Sequence, residues 1–212
     1  MFLDYLNTLS EGFLTTLSLT GLSAVGALVI GTLLAAMRVS PVPPLRWAAT
    51  TYVETVRNTP LPVIAPLFAL GLPSLGFDLS FYQWGAVALS VYTGAFVCEA
   101  LRSGINAVAV GQGEAARALG LRFTQTMTLV VLPQAFRSVV PPLGNVLIAL
   151  TKNTSVVATI SVADITLLSN GLITSSADPI GVIGASAVAY LVITLPLGLL
   201  VDRLEGRVLV TR

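Results

Sequence analysis

Long uncharged runs, broken by short charged or proline-rich segments, set the elements of this chain. The run from Gly12 to Met37 covers 26 positions without a charge, more than the roughly 20 that an α-helix needs to cross the hydrocarbon core of a bilayer. It predicts a first transmembrane helix. Gly21, Gly26 and Gly31 recur within it at intervals of five and are read as helix-packing positions. Arg38 to Arg46 (RVSPVPPLR) is a proline-rich turn, too stiff and too polar to continue that helix. A second uncharged run, Asn58 to Phe77, is about one membrane thickness long. Its crossing either starts near Trp47 and tilts, or enters near Arg57 and kinks at Pro60 and Pro62; the prolines favour the kink.

The third helix is expected from Phe81 to about Ile105, ending in Glu99 and Arg102. The stretch from 111 to 133, GQGEAARALGLRFTQTMTLVVLP, is too polar to sit comfortably in a membrane. Inside it, Glu114 to Leu119 reads as a short surface helix bracketed by Gly111, Gly113 and Gly120, with Gly120 at the position just past its end. After Pro133 the helix restarts, with Pro141 and Pro142 in its early turns. The uncharged run from Ser138 to Thr151 is 14 residues, too short to span unaided. Residues 156 to 177 predict a short helix pair in the outer half. Pro179 to Val201 is a last uncharged run of 23 residues with a kink expected at Pro196.

Five crossings place the N-terminus outside and the C-terminus in the cytoplasm. The loop of about 106–133 is flanked or occupied by Arg102, Arg117, Arg122 and Arg137, which assigns it to the cytoplasm. The segments assigned outside (1–11, 73–80 and 170–178) hold Asp4, Glu11, Asp78 and Asp178 but no Lys or Arg. The tail with Asp202, Arg203, Glu205, Arg207 and Arg212 is assigned inside.

Composition agrees with an all-α integral membrane protein. Only 10% of the 212 residues are charged, against roughly 25% in a soluble domain. A net charge of +1 gives no electrostatic reason to expect nucleic acid. One cysteine (Cys98) and no histidine leave no common zinc or haem site, so no cofactor is expected. The single lysine, Lys152, follows Thr151 rather than glycine, so there is no Walker A loop. If ATP drives this protein, another chain binds it.

Three polar places stand out within or beside the apolar zones. Glu54 and Arg57 are three apart on a helix and can pair, leaving Arg57 either a snorkelling interfacial arginine or a polar group lining a solute path. Glu99 and Arg102 have the same spacing. Thr151 Lys152 Asn153 Thr154 Ser155 interrupts the fourth helix, and a lysine there either reaches an interface or serves a function.

Residues 114 to 133 carry a resemblance. Glu114 Ala115 Ala116, Gly120, Val130, Leu132 and Pro133, at their spacing, resemble the EAA loop of the membrane subunits of ABC importers. Arg57 Asn58 Thr59 Pro60 Leu61, Glu99 to Ile105 (EALRSGI), Leu132 Pro133 Gln134 Ala135, Pro142 Leu143 Gly144 Asn145 and Lys152 Asn153 Thr154 Ser155 narrow it to the polar amino acid permeases of the histidine, glutamine and glutamate type. Among these the chain looks most like the actinobacterial glutamate permease subunits. Many relatives carry a glutamine shortly after the RxTPL motif, where this chain has Pro62 Val63 Ile64 Ala65.

The resemblance implies a type I importer permease built as a single transmembrane domain over 1–212, in the bacterial cytoplasmic membrane and surrounded by lipid. It implies a second permease subunit, a separate ATP-binding subunit and an extracytoplasmic amino-acid-binding protein as partners. Glu114, Ala115, Ala116, Gly120, Leu132 and Pro133 are expected to couple to the ATPase. Lys152, Asn153, Thr154 and Ser155, with Arg57, Asn58 and Thr59, are expected to line the path of a polar amino acid such as glutamate. Glu99 is expected to bridge to Arg102 or to bind an α-ammonium group. The rival readings are an ion-coupled carrier with Glu54, Glu99 and Asp164 as ion ligands, for which two related halves would be expected, and a scaffold subunit.

Overall fold

The computed structural model describes residues 2–175 and 178–209. Residues 176–177 of the expected outer segment and Arg212 of the tail lie outside the described residues, as do the side chains of Asp4 and Arg207. All regular structure among the described residues is helical. Helix α1 spans Phe2–Val39, α2 Pro43–Asn58, α3 Leu61–Pro66, α4 Phe81–Asn106 and α5 Val110–Ala118. A three-residue turn, α6 (Phe123–Gln125), leads through a π-helical stretch, Thr126–Val131, into α7 (Leu132–Asn153). A 3₁₀ segment, Thr154–Ile160, is followed by α8 (Ile165–Ser175) and α9 (Pro179–Leu209).

Four helical segments are long and apolar enough to cross a membrane: Asn7–Val39, Phe81–Asn106, Phe123–Ile160 and Pro179–Gly206. The second expected crossing is sharper than a kink. Pro43–Asn58 and Leu61–Leu75 meet at 104°, a corner at Thr59 and Pro60. Proline explains the corner, because Pro60 and Pro62 have no N–H to continue the α2 ladder and Pro60 pushes Thr59 into extended backbone, φ −98° and ψ 128°. Counting the bent pair as one, the crossings number five.

The fourth crossing also differs from the expectation. It does not restart after Pro133 but is helical from Phe123, so Leu132 and Pro133 lie within a span rather than close a loop. The 38 residues from Phe123 to Ile160 solve the length problem posed by the short uncharged run. Pro141 and Pro142 lie inside α7, and α9 runs as one helix through Pro196.

The core forms where α1 lies along α4, with α7 packed on α4 and α9 on α7, and α1 touching α7 and α9 as well. Small residues set these approaches. A side chain at Gly31 would meet Val97, one at Gly94 would meet Ile30, and one at Gly104 would overlap Val139 of α7. Gly26 likewise faces Ser90, whereas Gly21 faces open space. Of Gly21, Gly26 and Gly31, the last two are therefore packing positions. Leu19, Leu89, Leu150 and Val157 are buried in the same cluster, joined by Trp84.

Helix α8 is docked by its first turn. Gly12 of α1 lies so close that a Cβ there would sit 2.8 Å from the Ile165 nitrogen and 2.9 Å from the Asp164 carbonyl oxygen. Backbone atoms cannot rotate away as a side chain would. Gly12→Val is expected to cost about 1–3 kcal/mol, as overpacking does, and to lower the melting temperature of the purified protein, with Gly21→Val as the neutral control.

Candidate functional site

The α2 stripe at Ala49 and Val53 is buried against α1 and α4. Arg57, four residues further along, continues that stripe and is carried towards α4, while Glu54 is turned about 100° away from Val53. The expected Glu54–Arg57 pair therefore does not form among the described residues; Arg57 lies 3.8 Å from Glu99 instead. Glu99 also bridges to Arg102 at 2.8 Å, as expected from their spacing, and to Arg38 of α1, which sequence spacing did not suggest. One carboxylate thus serves three guanidinium groups from α1, α2 and α4. Glu99 is saturated by these arginines, which favours the structural role over capture of an α-ammonium group.

Arg57 also places its guanidinium 5.4 Å from the centre of the Phe96 ring, a favourable cation–π position. Phe96 leads into a cavity of about 280 Å³ between α4 and α7. Tyr92, Thr93 and Phe96 of α4 line it with Asn145, Ala149 and Asn153 of α7. The α7 residues are four apart, so two amides stand on one helical face. Thr93 is only 3% exposed and its hydroxyl has no hydrogen-bond partner. A buried polar group left unpaired costs free energy until something supplies a partner. The cavity holds many times the space of one water, and its two amides offer both hydrogen-bond donors and acceptors.

The polar interruption of α7 divides by residue. Asn153 enters the cavity, whereas Lys152 is exposed and is not among its lining residues. Thr154 is buried and donates to the Thr151 carbonyl oxygen at 2.8 Å; Ser155 donates to that of Lys152 at 2.8 Å. Asn58 and Thr59 bond back to α2, to the carbonyl oxygens of Glu54 and Thr55, at the corner. Tyr92, Thr93, Phe96 and Asn145 were missed in the sequence because they sit inside uncharged runs that read as packing. The repeat Asn145–Ala149–Asn153 was the available signal.

Away from this cavity, α5 ends in a Schellman turn. The Leu121 N–H donates to the Ala116 carbonyl oxygen at 3.1 Å and the Gly120 N–H to that of Arg117 at 2.9 Å, with Gly120 at φ +80°. This is the left-handed conformation that favours glycine. The helix begins at Val110, earlier than expected, and includes Gly111 and Gly113. Glu114 and Ala115 lie on it near its middle, and Ala116 is buried. Val110, Leu119, Phe123, Leu132 and Phe136 are exposed around it, a large apolar surface of the kind that marks contact sites.

Asp164, expected as an ion ligand only under the carrier reading, is wholly buried and caps α8 by accepting the Leu167 N–H at 2.9 Å. Burial pushes its carboxyl up from the ordinary value, against the opposing hydrogen bonds from Leu167, Thr166 and Tyr190. Among the described residues no group of three His, Cys, Asp or Glu side chains is placed to hold a metal.

Spans long enough to cross a bilayer, with a cavity between α4 and α7 and a short capped helix beside them, are the architecture of a multi-pass membrane protein. The sequence profile of the family described as "Binding-protein-dependent transport system inner membrane component" matches residues 27–209. The chain is 42% identical to the glutamate transport system permease protein GluC of Corynebacterium glutamicum, over 97% of this chain and 96% of that one. It is 40% identical to the probable glutamine ABC transporter permease protein GlnM of Bacillus subtilis, over 96% and 94%. A crystal structure of an amino acid ABC transporter with histidines superposes with a TM-score of 0.90 at 33% identity, covering 97% and 96% of the two chains. An inward-facing MetNI methionine ABC transporter shares the fold, with a TM-score of 0.78 at 20% identity over 98% of each chain.

The chain belongs to the binding-protein-dependent inner-membrane transport family, and within it to the polar amino acid ABC permeases. It is the non-catalytic permease component, with ATP hydrolysis on a separate subunit, and a multi-pass protein of the bacterial inner membrane. Its architecture is that of a type I importer permease.

Proposed function

We propose that this chain carries glutamate across the membrane, with the solute held between α4 and α7 at Thr93, Asn145 and Asn153. The observation that carries this reading is the unpaired Thr93 hydroxyl, buried at a cavity that the amides of Asn145 and Asn153 also line. Arg57, seated on the ring of the lining residue Phe96, supplies the cation that an acidic side chain needs. The names of the relatives from C. glutamicum and Corynebacterium efficiens support glutamate over other polar amino acids. Thr154 and Ser155 support the segment from behind, Asn58 and Thr59 shape the corner below Arg57, and Lys152 serves as an outlying cation.

The whole chain, 1–212, acts as one transmembrane domain with its N-terminus outside and its C-terminus in the cytoplasm. The arginines of the 106–133 loop support that orientation. The partners are a second permease subunit, an ATP-binding subunit met by α5 through Glu114, Ala115 and Ala116, and an extracytoplasmic amino-acid-binding protein. Leu132 and Pro133 transmit the movement of α5 into α7, which carries Asn153. ATP-driven rocking of the helices then exposes the cavity to either side in turn.

The test is binding of radiolabelled L-glutamate to the purified permease–ATPase complex. Asn153→Ala is expected to weaken it about tenfold, the value of one or two hydrogen bonds to a charged solute. Unchanged binding would move the solute elsewhere. Uptake into proteoliposomes without ATP would favour an ion-coupled carrier instead.

A further inference from the structure

The three arginines around Glu99 are not held alike. Arg102 donates to Oε2 of the carboxylate from Nη2 at 2.8 Å and from Nε at 3.3 Å, and Arg38 donates to Oε1. Arg57 faces Oε2 from 3.8 Å, beyond hydrogen-bond distance. Charge alone attracts it. A carboxylate presents about four lone-pair sites, whereas each guanidinium brings five N–H donors, so Arg38 and Arg102 already serve Glu99 well. The third cation is a spare. It adds repulsion from two like charges without a hydrogen bond in return, and α2 is already seated by Ala49 and Val53. A purely structural cluster has no need of Arg57.

Its placement supplies another use. Phe96 and Glu99 are three apart on α4 and share one helical face, and the Arg57 guanidinium touches both, the ring at 5.4 Å from its centre. Phe96 lines the α4–α7 cavity. The ring therefore stands between the arginine cluster and the solute, with the one loosely held cation upon it. Moving Arg57 from Glu99 towards an anion in the cavity leaves Glu99 with Arg38 and Arg102, so the exchange avoids the cost of an uncompensated buried charge. Neither Arg38 nor Arg102 could leave as cheaply.

We propose that Glu99 is a tethered competitor of the acidic solute, acting on it through Arg57. Its carboxylate, on the same two-carbon stem as that of free glutamate, holds Arg57 while the cavity is empty, yields it to the solute, and retakes it as the solute leaves. The inference rests on the reading of the α4–α7 cavity as the solute site. A transport path must bind its solute firmly enough to take it up and loosely enough to let it go, and an internal competitor sets that balance for anions alone. A neutral solute such as glutamine offers Arg57 no charge, so Glu99 keeps it.

Glu99→Asp tests it, because the shorter stem keeps the charge for Arg38 and Arg102 while drawing it away from Arg57. Binding of radiolabelled L-glutamate to the purified permease–ATPase complex is expected to tighten about threefold to tenfold. The affinity for L-glutamine, read by displacement of the label, should change less than about twofold. Loss of a merely structural contact would weaken both. In the Arg57→Gln background, where glutamate binding is itself about tenfold weaker, the gain from Glu99→Asp should vanish. A second measurement leaves Glu99 untouched and serves if its variant fails to assemble. Arg57→Gln should keep the melting temperature within about 2 °C, whereas Arg38→Gln should lower it further; equal losses would mean that Arg57 is not a spare, and the inference fails. If Asn153→Ala and Arg57→Gln weaken glutamate binding but Glu99→Asp does not tighten it, the inference fails while the site reading stands. If neither of those two variants weakens binding, both fail together.

Discussion

Glu99→Gln is expected to destabilise the protein by about 2–3 kcal/mol, because it leaves three guanidinium groups around one neutral amide. Breaking a fully buried pair costs about 3–5 kcal/mol. Arg38 and Glu99 are largely buried, with side chains 13% and 19% exposed, whereas Arg57 and Arg102 are 38% and 40% exposed and screen part of the loss. Because the cluster joins α1, α2 and α4, the damage should appear as a lower melting temperature of the purified complex and a smaller assembled yield. Glu99→Asp, which keeps the charge on a shorter stem, should recover part of it. A melt within about 1 °C of the unmodified protein would mean that the arginines find their counter-charge elsewhere.

Gly120→Val is expected to break the transmission of force while sparing solute recognition. At φ +80° a non-glycine residue costs roughly 1–2 kcal/mol, and a β-branched one fits that region least well. The Schellman turn that fixes the end of α5 would open, and the helix would no longer push as a rigid body. In reconstituted vesicles, ATP-dependent uptake should fall about tenfold, the equivalent of that conformational cost. Glutamate binding to the purified complex should stay within about twofold. Gly120→Asn, which tolerates the left-handed conformation, should retain most of the activity. Equal loss of binding and uptake in the valine variant would argue that the turn supports the whole fold rather than the coupling.

The long spans were legible because an uncharged run longer than a bilayer is thick is a local property. The end of α5 was legible for the same reason, since Gly120 announces the stop within one turn. The arginine cluster was not, because spacing on α2 favours Glu54 as the partner of Arg57 and only the packing of Ala49 and Val53 turns Arg57 towards α4. Asn153 stood out as a polar residue in an apolar helix, whereas Thr93 could not, since a buried threonine usually bonds its own backbone and only the fold shows that this one does not. Lys152 stood out by its charge, whereas it is the adjacent amide of Asn153 that lines the cavity. The 104° corner exceeded the expected kink because two prolines act together with the extended backbone of Thr59.

That corner bears on how the chain enters the membrane as it is made. Past it, Leu61–Leu75 is only 15 residues, roughly 22 Å if fully α-helical, against a hydrocarbon core of about 30 Å. Before it, α2 carries Arg46, Glu54 and Arg57 among its 16 residues. Neither half is long or oily enough to be retained by lipid on its own, whereas α1 and α4 are. The second crossing therefore leans on protein contacts, with Leu61, Ile64, Ala65 and Ala69 packed in one cluster with Trp84 and Leu89 of α4, and a segment of this kind is expected to settle only once α4 has emerged to receive it.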